Sequence, residues 1–585
     1  MNEFWNLDTL YHGFEDPQYA ADLAALQEAC AEFDTLTQRL AELEPLQVLQ
    51  RCTRALEEIT ALSNKLGEYA SLRQAADTQD AHATSQLGQI LGILSRSAGA
   101  NARFQEYAAE LPDLEQLLEQ DAALQEYRFF FQEIQTKSRH LLGSRGEDIM
   151  AQMSLSGSSA WRELQANLTS SVQVEFRGEI TNLSAIRNLA YDADPVTRKE
   201  AYEAELACYK KIRDPVAYAL NSIKLETINE ARLRGYDSPL DKALQESRMQ
   251  RTTLDAMFSA IDDYLPKFWS YLRAKAKALG HTNGLPWYDL FAPMGQSGKR
   301  YTTQEARDYL VALFGGFDPE LRDMVARAFD HAWIDFFPRE GKTGGAFCAG
   351  VECLNESRIL TNFDGAFGDV VTLAHELGHA FHNHILSDQR PLNREYTMPV
   401  AETASTFNEC VIVNAAIQAA TSKEEKLALI ENQLSDATQI ICDIYSRYRF
   451  ETAVFANRPS SFMPAQQLCE MMLEAQRKSY GDGLDPQALH PYMWVCKSHY
   501  YGDVSFYNFP YAFGGLFARG LYAQYEQEGK AFLPKYKKLL HETPVRTVEG
   551  AAQVAGLDLT DKAFWAQGLQ ILSDEIDQFL ALLDA

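Results

Sequence analysis

The chain's 585 residues are 46% hydrophobic and 23% charged, the composition of a globular protein with room for roughly three to five domain-sized units. Lys and Arg number 54 against 81 Asp and Glu, and the net charge of −27 argues against nucleic acid and anionic membrane as partners and favours cationic peptides or simply solubility. No stretch approaches the roughly 20 apolar residues that span a bilayer, the first residues form no basic leader, and the cysteines are odd in number and scattered, so a cytoplasmic chain with reduced thiols is expected.

From Asp16 the pattern is helical: Asp16 can cap, Pro17 fits the first turn, and apolar residues recur at i, i+3 and i+4. Pro45 and the polar run from Ala75 to Asp80 punctuate further helices, expected over Leu46–Leu66, Ala81–Leu111 and Leu114–Leu142. These read as antiparallel helices with no evident chemistry. Glycines and serines at Gly143, Ser144, Gly146 and Ser154–Ser159 predict a break, and the alternation of Val172, Val174 and Phe176 predicts a strand turning back near Gly178. Helical period resumes at Pro195 and runs through Pro195–Leu233, Leu240–Met249 and Thr253–Leu279. In the loop-rich stretch that follows, Gly295 to Arg300 superficially resembles a phosphate loop, but it lacks the gap between glycines and the hydroxyl residue after lysine.

Between Phe336 and Phe363, Gly341, Gly344 and Gly345 predict a mobile loop, and Ala346–Val351 and Arg358–Phe363 predict two β-strands joined around Leu354–Ser357. Such a ribbon offers an edge to which an extended peptide can add its backbone; the plain alternative is structural support.

The stretch Asn362–Ser387 carries His375, Glu376 and His379 in the pattern H-E-x-x-H. Val370, Val371, Leu373, Leu377, Phe381 and Ile385 recur at helical spacing, and Asp369 can cap. On a helix, residues four apart sit about 40° apart around the axis and about 6 Å apart along it, so both imidazoles can meet one zinc ion. Glu376 then lies beside the ion, placed to take a proton from water without occupying a ligand position. A chance pattern is the alternative. Against it, the helix is apolar almost all round, which would leave its histidines buried without partners.

A third ligand is expected in Glu402, 23 residues after His379 at the start of a second helix with Pro399 in its first turn. The position that would hold a third histidine on the same stretch is Ile385. His382 lies about 10 Å further along the axis than His375, too far for the same ion, and reads as a supporting or packing histidine. Glu409 either accepts a hydrogen bond from a ligand histidine or is satisfied elsewhere in the helix pair. Downstream, a capping box at Ser422–Glu425 opens a long helix to about Phe455, and another from Pro464 ends at Gly481. His499 then opens an aromatic segment in which Tyr507 and Tyr511 are candidate donors to an oxyanion, although such clusters are more often core.

In order and spacing, GKTGGAF at Gly341–Phe347, HELGHAFH at His375–His382, AETAS at Ala401–Ser405 and the His-plus-tyrosine segment from His499 to Gly514 resemble the zinc oligopeptidases of the thimet oligopeptidase and neurolysin type, particularly the oligoendopeptidase F branch. The resemblance implies a mainly α-helical, two-lobed fold with a deep central channel and a small β-ribbon beside the metal helix. It implies an N-terminal helical domain over residues 1–190 and a catalytic domain over 191–585. It further implies one zinc ion on His375, His379 and Glu402, Glu376 as general base, His499 and Tyr511 as transition-state donors, and Gly344, Gly345 and Tyr507 at the substrate, with short peptides as partners. The strand connection CAGVECLNES departs from the family's commoner wording. Two other readings stand beside an endopeptidase: a helical zinc carboxypeptidase, and a peptide-binding scaffold, which would leave Glu376 without a role.

Overall fold

In a computed structural model, which describes residues 2–295 and 299–584, the chain is mainly helical with two small sheets. Helices α1 (Pro17–Thr37), α2 (Pro45–Ala76) and α3 (Ala81–Glu110) pack on one another as an N-terminal unit. Asp16 caps α1 by accepting from the Gln18 amide, and Asp80 caps α3 by accepting from Ala83. The stretch read as one helix from Leu114 to Leu142 is instead three short helices, 114–118, 122–126 and 128–138. The Asp121 carboxylate accepts from the amides of Ala123 and Leu124, which restarts the chain there.

The expected break after residue 143 is narrower than its glycines suggest: helices cover 144–156 and 158–171, parted only at Gly157. A Cβ on Gly157 would lie 2.4 Å from the Glu226 carboxylate, so the bend brings the chain against the long helix Pro195–Leu233. Strands β1 (Gln173–Phe176) and β2 (Glu179–Asn182) form the hairpin read from the alternation. Arg177 and Gly178 both take positive φ, 52° and 84°, the left-handed pair of a type I′ turn. Helices α4 (Pro195–Leu233) and α5 (Arg251–Ala278) follow, in the larger apolar core, which also takes in Val174, Leu183 and Ile186.

The ribbon has three strands rather than two. β3 (Ile334–Asp335) adds in parallel to β5 (Glu356–Leu360), which pairs antiparallel with β4 (Phe347–Val351), in the order β3-β5-β4. β4 therefore keeps one free edge. The hairpin belongs to two apolar cores: Val351 and Leu360 sit in the core of α1–α3, with Phe347 and Ala349 against it, whereas Ile359 and Cys348 face the larger core. The glycine loop before β4 is tied down at one end, because the Gly341 carbonyl accepts from the amide and hydroxyl of Thr78 and the Thr343 amide donates to the Ala75 carbonyl. The phosphate-loop look-alike at 295–300 lies partly outside the described residues.

The larger unit is organised on α6 (Phe367–Ile385), which packs on α7 (Thr403–Ala419); α7 packs on α9 (Phe509–Glu528), and α9 on α10 (Lys562–Asp584). The helix expected to run to Phe455 is divided into α8 (Lys423–Thr438) and a helix over 444–457 by a π-turn at Gln439–Asp443. Only half of the expected capping box forms: the Ser422 side chain accepts from the Glu425 amide. All the cysteines are free, and among the described residues no helix is long and apolar enough to cross a membrane.

Candidate metal and peptidase site

The carboxylate of Asp369 fixes the start of α6 by accepting from the amides of Asp364, Gly365 and Ala366 at 2.9, 2.9 and 3.0 Å. Two turns later His375 and His379 project from one face, and Glu402, at the break just before α7, meets them. Their donor atoms form a nearly equilateral triangle: His375 Nε2 to His379 Nε2 is 3.2 Å, and Glu402 Oε2 lies 3.3 and 3.4 Å from the two nitrogens. Ligands about 2.0–2.1 Å from a tetrahedral ion are about 3.3–3.4 Å from one another. The residues fit one metal ion. Two neutral nitrogens and a carboxylate oxygen suit zinc, and three protein ligands leave a coordination position open.

Several residues hold the triangle. Nδ1 of His375 donates to Glu409 Oε1 at 2.6 Å, which directs the lone pair of Nε2 toward the metal position. The Ser405 hydroxyl donates to Glu402 Oε2 at 2.8 Å, and the buried Asn408 amide donates to the Ala374 carbonyl at 3.1 Å. Gly378 sets the distance between the helices, since a Cβ there would stand 2.5 Å from the Ala404 carbonyl oxygen and from Ser405 Cα. Of these, only Glu409 was singled out in the sequence. A signal for Gly378 was present, because a glycine in mid-helix costs about 1 kcal/mol relative to alanine and so points to a close approach.

The electrostatics describe a site that attracts a cation. Burial disfavours charge on His375, yet the carboxylates of Glu402 and Glu409 outweigh it and push its pKa up to about 10. Burial likewise opposes ionisation of Glu402, but the two imidazoles hold it well below the usual carboxylate range. Glu376 is outside the triangle and 5% exposed, and burial raises its pKa. It lines a cavity of about 800 Å³ together with His375, Glu409, Ala346 and Arg519.

His382 takes no part. It is fully buried, stacks on Tyr396 at 4.2 Å, and places Nε2 2.9 Å from the Thr543 hydroxyl, the packing role that its distance along the helix implied. His499, Tyr507 and Tyr511 form a second cluster, with ring centroids 5.1 Å apart for His499 and Tyr507 and 5.9 Å for the other two pairs. Gly514, one turn beyond Tyr511 on α9, backs onto Glu402, so that an added Cβ would lie 3.2 Å from the Glu402 Cβ. Burial first, then Tyr507 and the negative charge of Glu402, push the Tyr511 hydroxyl up to about 12. His499 is lowered by burial and by the cations Arg447 and Lys497. Gly344 and Gly345 are exposed and approach the cavity only through Ala346, which follows them in the chain.

A helical frame in which H-E-x-x-H meets a carboxylate from the next helix defines a metallopeptidase. The peptidase family M3 model matches residues 188–543, and the Oligopeptidase F model matches residues 108–173. The group B oligopeptidase PepB of Streptococcus agalactiae is 24% identical over 98% of this chain and 96% of its own length. A solved chain from Chlamydophila abortus superposes with a TM-score of 0.85 at 21% identity, covering 99% of this chain and 98% of its own. Oligoendopeptidase-F from Enterococcus faecium superposes with a TM-score of 0.72 at 18% identity, covering 97% and 99%. These superpositions establish a shared fold. The family match covers more than half of the chain, which belongs to peptidase family M3.

Proposed function

We propose that the protein is a zinc-dependent oligopeptidase that hydrolyses internal bonds of short, unstructured peptides. The observation that carries this reading is the triangle of donor atoms 3.2–3.4 Å apart, with the buried Glu376 carboxylate beside it and outside it. His375, His379 and Glu402 would hold one zinc ion, which supplies Lewis acidity toward the scissile carbonyl and makes water easier to deprotonate. Glu376 takes the water's proton and afterwards delivers it to the leaving amine, a task helped by the burial that raises its pKa. Tyr511 and His499 donate to the carbonyl oxygen as it gains charge, and Tyr507 stands at the substrate. The free edge of β4 supports binding of an extended peptide backbone, since among the described residues β4 pairs only with β5. Gly344 and Gly345 supply the approach to that edge. The division into residues 1–190 and 191–585 is part of the same proposal, with the helical N-terminal part flanking the peptidase part.

The test is mass-spectrometric mapping of products from a ladder of unstructured peptides, with and without a chelator, using Glu376→Gln protein as control. Chelator-sensitive internal cuts that vanish in Glu376→Gln, while that variant still binds zinc, are the expected result. Full activity of Glu376→Gln would overturn the mechanism. Trimming of single C-terminal residues would replace the endopeptidase by a carboxypeptidase.

A further inference from the structure

The open space does not end at the metal cluster. A second cavity of about 330 Å³ adjoins the first, and Tyr191, Phe291 and Ser435 line both. Its walls carry Arg187, Glu205, Asp443 and Lys497. Glu205 lies 3.3 Å from Arg187 and also accepts from the Tyr209 hydroxyl, while Asp443 is paired with Arg447 in a buried ion pair. Lys497 is different: among the described residues its ammonium has no carboxylate within 4 Å and no hydrogen-bond acceptor, and it lines the cavity. Arg198, also in the wall, is paired with Asp289, so with Arg447 and Asp289 counted as partners four cations (Arg187, Arg198, Arg447, Lys497) meet three carboxylates (Glu205, Asp289, Asp443), which leaves one positive charge over in a chain whose net charge is −27. An ammonium held in a partly enclosed wall without a counter-charge is unfavourable unless something negative enters. Burial and the neighbouring guanidinium of Arg447 accordingly lower its pKa.

We propose that Lys497, with Arg187 beside it, receives a carboxylate of the peptide substrate, which makes this chamber the pocket that selects and registers one end of the peptide. The carboxylate is either the peptide's C-terminus or an acidic side chain near it. Position favours this use. Lys497 is two residues before His499, so one short segment, 497–499, joins the chamber to the aromatic cluster, and the walls shared by the two cavities place the chamber directly beside the space that His375 and Glu376 line. The inference rests on the peptidase reading above.

The experiment uses the zinc-loaded enzyme and three versions of one peptide: the free acid, the C-terminal amide, and the amide with a glutamate next to the end. Loss of a charge-assisted hydrogen bond corresponds to roughly a 10- to 100-fold change. Amidation is therefore expected to lower kcat/KM at least tenfold, chiefly through KM. Lys497→Met should erase the difference between acid and amide, and Lys497→Arg should restore most of it. Recovery with the glutamate-bearing amide identifies an acidic side chain as the ligand, and its absence identifies the C-terminus. In the latter case cuts should keep a constant distance from the C-terminus as the N-terminus is lengthened. Equal turnover of all three peptides by the parent enzyme overturns the proposal, as does an equal loss on all three in Lys497→Met, which would mean that Lys497 acts only by positioning His499. If no peptide is cut at all, the peptidase reading fails instead. Anisotropy of labelled acid and amide peptides on Glu376→Gln protein then still decides whether the chamber binds a carboxylate.

Discussion

Replacing Gly378 by alanine tests whether helix spacing sets metal affinity. The added Cβ would stand 2.5 Å from the Ala404 carbonyl oxygen, where ordinary contact begins at 3.4 Å, so α6 and α7 must separate by about 0.9 Å at the crossing. The obstacle is backbone, so rotation of a side chain cannot relieve it. His375 and His379 ride on α6 and Glu402 leads into α7, so their 3.3 and 3.4 Å separations would open beyond about 4 Å, whereas metal sites tolerate distance errors of only about 0.2 Å. Overpacking of this kind costs about 1–3 kcal/mol. Were that strain relieved by giving up the ion, zinc affinity would fall about 5- to 150-fold, at about 1.4 kcal/mol per tenfold. The assay is zinc competition against a chromophoric chelator, alongside thermal melts of the zinc-free protein. Gly92→Ala in α3, where nothing lies within 4 Å of the added Cβ, serves as a control for helix propensity. Affinity within twofold of the parent together with an unchanged melting temperature would refute the reasoning.

Three further outcomes follow from the same geometry. Glu409→Ala removes the acceptor 2.6 Å from His375 Nδ1 and should weaken zinc binding about 10- to 100-fold, read by the same competition; an unchanged constant would show that packing alone orients His375. Tyr511→Phe should lower kcat about 10²- to 10³-fold with little change in KM, and steady-state kinetics showing the loss in KM alone would move Tyr511 from the oxyanion to substrate binding. His382 is buried with its pKa lowered to about 3, so the unfolded chain binds a proton that the folded one refuses. Its contribution to stability is complete above about pH 6.5 and is lost as pH falls toward 3. Melts between pH 7 and 5 should therefore show a shallower acid slope in His382→Asn than in the parent, and identical slopes would count against a neutral buried imidazole.

The parts of the site carried by one helix were legible in the sequence. His375, Glu376 and His379 are related by helical geometry alone, and Glu402 followed because the next helix had to supply what Ile385 could not. The residues that were not legible depend on distances between elements. Ser405 and Asn408 look like ordinary polar residues until α7 is laid across α6, and Lys497 becomes distinctive only when the carboxylates around it are found to be paired elsewhere. The same applies to the fold. The cap at Asp16 and the hairpin at Gly178 are local chemistry and were read correctly, whereas Asp80 was read only as part of a polar break and proves to cap α3. β3 was missed because two residues carry no periodicity, and the interruption at Gln439–Asp443 was missed because a π-turn keeps the helical pattern of apolar residues on either side. The division of 114–142 into three helices turned on a single aspartate, Asp121, whose side chain competes with the helix for the amides that follow.

The hairpin of β4 and β5 limits how far this chain can be taken apart. One face, with Phe347, Ala349, Val351 and Leu360, packs into the core built mainly by the first 134 residues of the chain. A shortened gene beginning near residue 191 would encode every residue of the metal triangle, yet its product would carry a bare apolar sheet face, the kind of exposed patch through which molecules associate. For recombinant production or transplantation into another scaffold, the N-terminal helices therefore act as a built-in solubility partner, and the peptidase half is best handled only with them attached.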